Sequence, residues 1–302
     1  MGLHLSVGRR ATAASALLFV AVLIGALAPG PAGATIDDPL RYVALGDSYT
    51  SSPLTGLFAG QPLGCFRSDN NYPHVAAAAL GPDTFIDVSC GGATTADFFA
   101  PQSVFDGDNP PQLDALTADT TVVTIGISGN DIGFGEIVQA CVSLLPFGHP
   151  CLDRYTAGGV DQLAQRIAST AALIDNVLTA VHDRAPDADV FVVGYPTILP
   201  DTGPGCWPVV PYTRDDVAYL RATEHRLNAM LADRAAAHGD HFVDTYTSSI
   251  GHDVCQLPLV KWVEGLIPTS PAAPVHPNAL GSRDMGNQVV AAMAAAGIGS
   301  DL

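Results

Sequence analysis

Residues Tyr42–Ser51 read YVALGDSYTS, and this stretch decides how the rest of the chain is read. Arg41–Leu45 has the apolar character of a short buried strand, and Gly-Asp-Ser follows at once. A strand that stops on a glycine turn and presents a hydroxyl has two explanations. Ser48 caps a turn or helix, as serine commonly does after a strand, or it is a nucleophile carried on a strand edge. Asp47 is expected to shape the turn by accepting local N–H groups rather than to act as an acid.

The alternation that begins here continues along the chain. Tyr72–Leu80 reads as a helix closed by Gly81-Pro82, Thr84–Val88 as a second strand, and Thr121–Ile127 (TVVTIGI) as a third, apolar enough to be buried on both faces. Between Val160 and Arg184, the residues Leu163, Ile167, Ala171, Ile174, Leu178 and Val181 form one apolar helical stripe, and Pro186 ends it. Asp189–Val193 is a fourth strand, Arg214–Ala237 a helix, His241–Asp244 a fifth strand, and Asn278–Ala296 a final helix. Repeated β-α alternation predicts an α/β fold, a three-layer doubly wound parallel sheet with helices on both faces. In such sheets ligands bind outside the carboxyl ends of the strands, near the point where strand order reverses.

Composition sets the outer limits. The chain has 302 residues, 48% hydrophobic and 14% charged, so it can bury a sizeable core and is not a disordered polymer. Thirty acids against 13 bases give a net charge of −17, which repels phosphate backbones and anionic bilayers and argues against nucleic-acid binding. Arg9 and Arg10, the apolar run Ala16–Ala28 and the small residues Ala32-Gly33-Ala34 together read as a secretory signal peptide over 1–34, cleaved near Ala34. The apolar core is too short for a stable membrane anchor. Residues 35–302 then form one domain, expected to be secreted and monomeric. Cys65, Cys90, Cys141, Cys151, Cys206 and Cys255 all lie in that part. An even count behind a signal peptide implies disulfides, with fifteen pairings open to six cysteines. Zinc is the weaker alternative, because no CxxC occurs and His149 and His252 each lie close to only one cysteine.

Placed on the predicted sheet, the polar residues converge. Ser48 follows the first strand, Gly91 and Gly92 the second, and Asn130 the third, while His276 precedes the last helix. Each residue type suits a step of acyl transfer. A serine needs an imidazole to take its proton, and the tetrahedral oxyanion needs fixed donors. The Ser48 N–H, a glycine N–H from CGGATT and the Asn130 amide are candidates for those donors. Singly each has an ordinary structural explanation. Their conjunction is the signal.

GDSY at 46–49, SCGGATT at 89–95, GISGNDIGF at 126–134 and HPNALGSRDMG at 276–286 resemble, in order, the four sequence blocks of the SGNH (GDSL-type) hydrolases. More narrowly, the chain resembles the secreted, three-disulfide lipases and esterases of actinobacteria. The resemblance spans residues 40–298. It implies a flavodoxin-like sheet and hydrolysis of carboxylic esters, with a small-molecule or lipid ester as substrate and no metal or organic cofactor. It also implies Ser48 as nucleophile and His276 as base. Ser48, Gly91 or Gly92, and Asn130 would form the oxyanion hole, with Gly91 favoured of the two glycines. Cysteines of the family pair in sequence order, which implies Cys65–Cys90, Cys141–Cys151 and Cys206–Cys255.

One departure stands out. Family members with a full triad carry an acid three positions before the histidine, and here that position is Ala273, in PAAPVHPN. The expectation is that the Ala273 backbone carbonyl orients His276, with a remote carboxylate such as Glu264 or Asp284 as the rival. No G-x-S-x-G elbow occurs, which argues against an ordinary α/β-hydrolase. A carbohydrate (acetylglycan) esterase and a non-catalytic binding protein on the same fold are the competing functions. Leu54, Leu57 and Phe58, and VSLLPF at 142–147, are candidates either for an acyl pocket or for core and loop packing.

Overall fold

The computed structural model describes residues 39–299 together with Gly2; apart from that glycine, the predicted signal peptide lies outside the described residues. The sheet strands are β1 (Arg41–Gly46), β2 (Thr84–Asp87), β5 (Val122–Gly126), β6 (Asp189–Val193) and β7 (His241–Val243), and β3 (Gln102–Val104) pairs with β4 (Gly107–Asn109) in a separate antiparallel hairpin. The five-stranded sheet runs β2-β1-β5-β6-β7, and every neighbouring pair is parallel. This is the flavodoxin-like order, with strand order reversing between β1 and β5.

Side-chain alternation along the strands builds the two faces. Val43, Leu45, Val123, Ile125, Val190 and Val192 point to one side, where α5 (Gln162–Arg184) and α6 (Arg214–His238) cover them. Tyr42, Ala44, Val122, Phe191 and Val193 point to the other, under α2 (Tyr72–Leu80) and α7 (Ala279–Ala295). The predicted stripe on α5 is the packed face: Leu163, Ile167, Ile174, Leu178 and Val181 are buried, and Ala171 packs against them. Asp161 caps the start of that helix, accepting from Ala164 N. The strands and long helices thus lie where the apolar periodicity put them, within two residues at each end.

The structure joins Cys65–Cys90, Cys141–Cys151 and Cys206–Cys255, and leaves no free cysteine among the described residues. The first of these bridges ties the loop after α1 (Ser48–Ser51) to the loop after β2.

At the end of β1, Gly46 has φ +153°, and a Cβ there would fall 2.2 Å from Thr50 Oγ1 and 2.4 Å from the Gly126 carbonyl oxygen. Only glycine lets α1 fold back this tightly over the edge of β5. The Gln112 amide completes the corner, accepting from Gly46 N and donating to Gly46 O.

Candidate active site

Asp47, not Ser48, is the N-cap of α1. Its carboxylate accepts from Tyr49 N at 2.8 Å, which leaves Ser48 as the first helical residue with its own N–H lacking an acceptor among the described residues. Asp47 is buried, and its second oxygen accepts from the Tyr195 hydroxyl at 2.6 Å. Burial pushes this carboxyl up to about 7, against the opposing effect of the Tyr195 and Tyr49 donors. The Tyr195 hydroxyl in turn accepts from Gly129 N at 2.7 Å. One hydrogen-bonded chain therefore links the ends of β1, β6 and β5, and it fixes the loop that carries Asn130.

The Asn130 Nδ2 donates to the Ala93 carbonyl at 2.8 Å, which assigns the amide orientation and leaves its second N–H without an acceptor among the described residues. Asp131 next to it accepts from Thr95 N and Thr95 Oγ1, so the second and third loops are tied together twice. Burial raises the Asp131 carboxyl above its ordinary range, although the Thr95 donors oppose the shift.

The two glycines of the second loop differ sharply. The Gly91 N–H, the donor favoured on sequence grounds, is spent on the Cys65 carbonyl at 2.9 Å. The Cys65–Cys90 bridge brings these two backbones together and turns the Gly91 N–H inward. Gly92 has φ +81°, and its N–H has no acceptor among the described residues. The open donor is Gly92, and the expectation for Gly91 is corrected.

His276 Nε2 lies 2.7 Å from Ser48 Oγ, and Nδ1 lies 2.8 Å from the Pro274 carbonyl oxygen. A carbonyl can only accept, so Nδ1 carries the proton and Nε2 is free to accept from the serine hydroxyl. The orienting carbonyl is that of Pro274, one residue later than the expected Ala273. The Ala273 oxygen already accepts from His276 N at 3.2 Å, closing a turn in which Val275 adopts φ +61°. Tyr49 Oη donates to Val275 O at 2.7 Å and pins that turn to α1. The imidazole sits between aromatic rings, 5.0 Å from Tyr49 and 6.2 Å from Phe134.

Neither rival carboxylate contacts His276. Asp284 accepts from Ser248 Oγ and Gln288 Nε2. Glu264 is buried, accepting from Asn278 Nδ2, Thr269 N and Thr269 Oγ1, with Lys261 Nζ at 3.8 Å. Burial alone would raise its carboxyl, but these donors and the lysine overcome it and hold the group below its ordinary range. Glu264 N donates to His276 O, so this network holds the histidine loop in place.

Ser48, Gly91, Gly92, Asn130, Ala273, Pro274 and His276 all line one open cleft of about 580 Å³. Beside it lies a narrow apolar cavity of about 80 Å³, walled by side chains such as Ile132, Ile137, Leu199, Val210 and Leu227; Phe134, Val138 and Leu266 line both spaces. Of the acyl-pocket candidates, Leu54 lines the cleft while half exposed, and Leu57, Phe58, Leu144, Leu145 and Phe147 are exposed without lining it. The cavity is built instead from α3 (Phe134–Ala140), α6 and the segment after β6. Among the described residues, no group of three or more His, Cys, Asp or Glu side chains could hold a metal ion.

Residues 44–283 match the GDSL-like Lipase/Acylhydrolase family. This chain belongs to that family. It is accordingly a hydrolase of carboxylic esters. Among its relatives is "Lipase 2" of Streptomyces coelicolor, 41% identical over 266 residues, covering 85% of this chain and 86% of that one. The crystal structure of the extracellular lipase of Streptomyces rimosus superposes with a TM-score of 0.70 at 31% identity, covering 84% of this chain and 99% of that one. Phospholipase A1 of Streptomyces albidoflavus NA297 also gives a TM-score of 0.70, at 29% identity over 84% of this chain and 98% of that one.

Sequence reasoning missed Tyr195 and Pro274. Tyr195 had a usable signal, since it follows a strand on the same sheet edge as Ser48 and Asn130. Pro274 had none, because a backbone oxygen is chosen by the turn and not by residue type.

Burial pushes the His276 imidazole below its ordinary value of 6.5, and the neutral Pro274 carbonyl offsets only part of that. The depressed value keeps Nε2 unprotonated to lower pH. The acid limb of kcat/KM for a soluble ester is therefore expected to have its midpoint below pH 6.5. A pH-rate profile with that midpoint at 7 or above, as charge pairing with a carboxylate would give, contradicts the neutral-carbonyl arrangement (about 7 being the upper side of the ordinary histidine range).

Proposed function

We propose that this chain hydrolyses fatty-acyl or other lipid-like esters through an acyl-enzyme on Ser48, with His276 as base. The observation that carries this reading is the 2.7 Å contact from Ser48 Oγ to the unprotonated Nε2 of a histidine whose Nδ1–H is already held. In the first half-reaction the Oγ proton passes to Nε2 as Oγ bonds to the ester carbonyl carbon. The oxyanion is met by the Ser48 N–H, the Gly92 N–H and the second Asn130 amide N–H, donors fixed before the charge develops. The alkoxide leaves with the proton from Nε2, and water repeats the sequence to release the acid. During both steps the Pro274 carbonyl holds Nδ1–H and steadies the imidazolium.

The apolar cavity next to the cleft supports a long acyl chain, because a site built for acetyl groups alone has no use for that space. "Lipase 2" and the phospholipase A1, by the names of those proteins, agree with lipid esters as substrates. We also take the chain to be secreted after removal of residues 1–34, as a monomer without an anchor. Three disulfides support an oxidising destination.

Two experiments follow. Ser48→Ala is expected to abolish ester hydrolysis in a folded protein, and Asn130→Ala to lower kcat by about 10²–10³, the usual effect of losing one oxyanion donor. Near wild-type turnover in purified Ser48→Ala overturns the assignment. Across p-nitrophenyl acetate, octanoate and palmitate, kcat/KM is expected to rise with chain length. Val138→Trp, at the junction of cavity and cleft, should reverse that rise and spare acetate. Activity confined to acetate, with acetylated xylan also cleaved, would favour the acetylglycan esterase.

A further inference from the structure

The β3–β4 hairpin stands outside the five-stranded sheet, and with three residues in each strand it is too short to hold itself together. Three of its side chains reach across to the loops at the active edge. Asn109 is buried and donates to the Val88 carbonyl at 3.3 Å. Its Oδ1 accepts from Arg67, whose guanidinium also donates to the Ser89 carbonyl at 3.0 Å. Asp106, in the hairpin turn, accepts from Leu63 N and Gly64 N, both at 2.7 Å, and so anchors the segment that leads into Cys65. Gln102 pairs with Asn109 in the hairpin register, and its Nε2 donates to the Gly91 carbonyl at 2.9 Å.

This last bond falls on the peptide whose N–H is the open donor. The Gly91 oxygen and the Gly92 N–H belong to one planar trans peptide, so they point in opposite directions. A donor that fixes the oxygen therefore fixes the aim of the N–H. The preceding peptide is fixed separately, by Gly91 N donating to the Cys65 carbonyl. Neither glycine has a side chain to hold it, so the aim depends on bonds to the peptides themselves. A donor on the Gly91 oxygen also polarises the amide and strengthens Gly92 N–H in its turn. Gln102 acts from behind, since Gly91 and Gly92 line the cleft and Gln102 does not. Its own Oε1 is buried without a partner among the described residues. That unpaired oxygen offsets much of the stability the Nε2 bond contributes. What the amide accomplishes is the aim of the peptide.

We propose that Gln102 is a positioning residue for ester hydrolysis, aiming and polarising the Gly91–Gly92 peptide so that Gly92 N–H meets the oxyanion. This role rests on the reading of Ser48, Gly92 and Asn130 as the acyl-transfer site. It extends that site to the β3–β4 hairpin, which becomes the rear support of the oxyanion hole. Gln102 touches no substrate, so ground-state binding does not depend on it. Only the tetrahedral stage does.

The test compares the full wild-type chain with Gln102→Met, which keeps the length and loses the donor, and with Gln102→Glu, which keeps the shape. Assays run at about pH 8, where the introduced carboxyl is ionised and turns only acceptors toward the Gly91 oxygen. On p-nitrophenyl butyrate, kcat and kcat/KM are expected to fall together, by about tenfold in Gln102→Met and further in Gln102→Glu, with KM within about twofold. The loss is smaller than the ~10²–10³ for deleting a donor, because Gly92 N–H is still present. Butylboronic acid, which forms a tetrahedral adduct on the serine, should lose affinity by the same factor as kcat. The thermal midpoint of Gln102→Met should stay within about 3 °C of wild type. A purely structural role would instead lower the midpoint and leave the ratio of boronate affinity to KM unchanged, and that result overturns the proposal. Wild-type kcat in Gln102→Glu overturns it even where Gln102→Met does not fold, and failure of both variants to fold overturns it too. A wild-type chain that leaves the ester intact faults the reading of the cleft and this role together, whereas full turnover in the variants of an active enzyme removes only the role of Gln102.

Discussion

The active edge depends on one buried carboxyl. Asp47 caps α1 through Tyr49 N and, through Tyr195, reaches Gly129 on the loop after β5. Without it, Ser48 and Asn130 would sit on separate loops related only by the sheet. With it, the hydroxyl and the amide are held in one frame across the point where strand order reverses. A carboxyl so deeply buried is costly to ionise, and its pKa near 7 records that cost. Because the folded value lies above the ordinary 3.8, the proton-linked part of its contribution to stability is full at acid pH. That part is lost as pH rises through about 7.

The histidine is held by a second buried network, joined to the first through Tyr49, whose N–H meets Asp47 and whose hydroxyl meets Val275 O. Lys261, the only lysine in the chain, is buried beside Glu264, which also takes the Asn278 amide and the Thr269 donors. A buried ion pair of this kind contributes little net stability against an apolar replacement, but removal of one partner leaves a buried charge stranded. Its value here is positional. Asn278 caps α7 while Glu264 N holds His276 O, so the loop between them is closed at both ends. A loop fixed this firmly can present a backbone carbonyl to Nδ1 where a mobile loop would need a charged side chain to find the ring.

How much of this was legible depends on whether residue type or backbone direction carried the information. Apolar runs and the α5 stripe determine burial, so the strands, their alternation and the long helices could be read directly. The gathering of Ser48, Asn130 and His276 on one edge followed from where each sits relative to a strand. Peptide orientation is different. Gly91 and Gly92 are identical as residues, and only the pull of Cys65 on the backbone decides which N–H faces out. The same holds for Ala273 against Pro274. The segments 54–58 and 142–147 illustrate a third limit: apolar composition says that a side chain avoids water, not whether protein covers it.

The Asp47–Tyr195–Gly129 chain holds the Ser48 hydroxyl and the Asn130 loop in one frame. The direct measurement is the pre-steady-state rate at which Tyr195→Phe is acylated by a p-nitrophenyl ester, with KM and thermal midpoint recorded alongside. Loss of the hydroxyl leaves Asp47 Oδ2 without a donor and Gly129 N without an acceptor, while Tyr49 N still donates to Oδ1, a cost of about 1–3 kcal/mol. The account predicts acylation slower by roughly tenfold to a hundredfold with KM little changed. A folded Tyr195→Phe enzyme that acylates at the wild-type rate would contradict it.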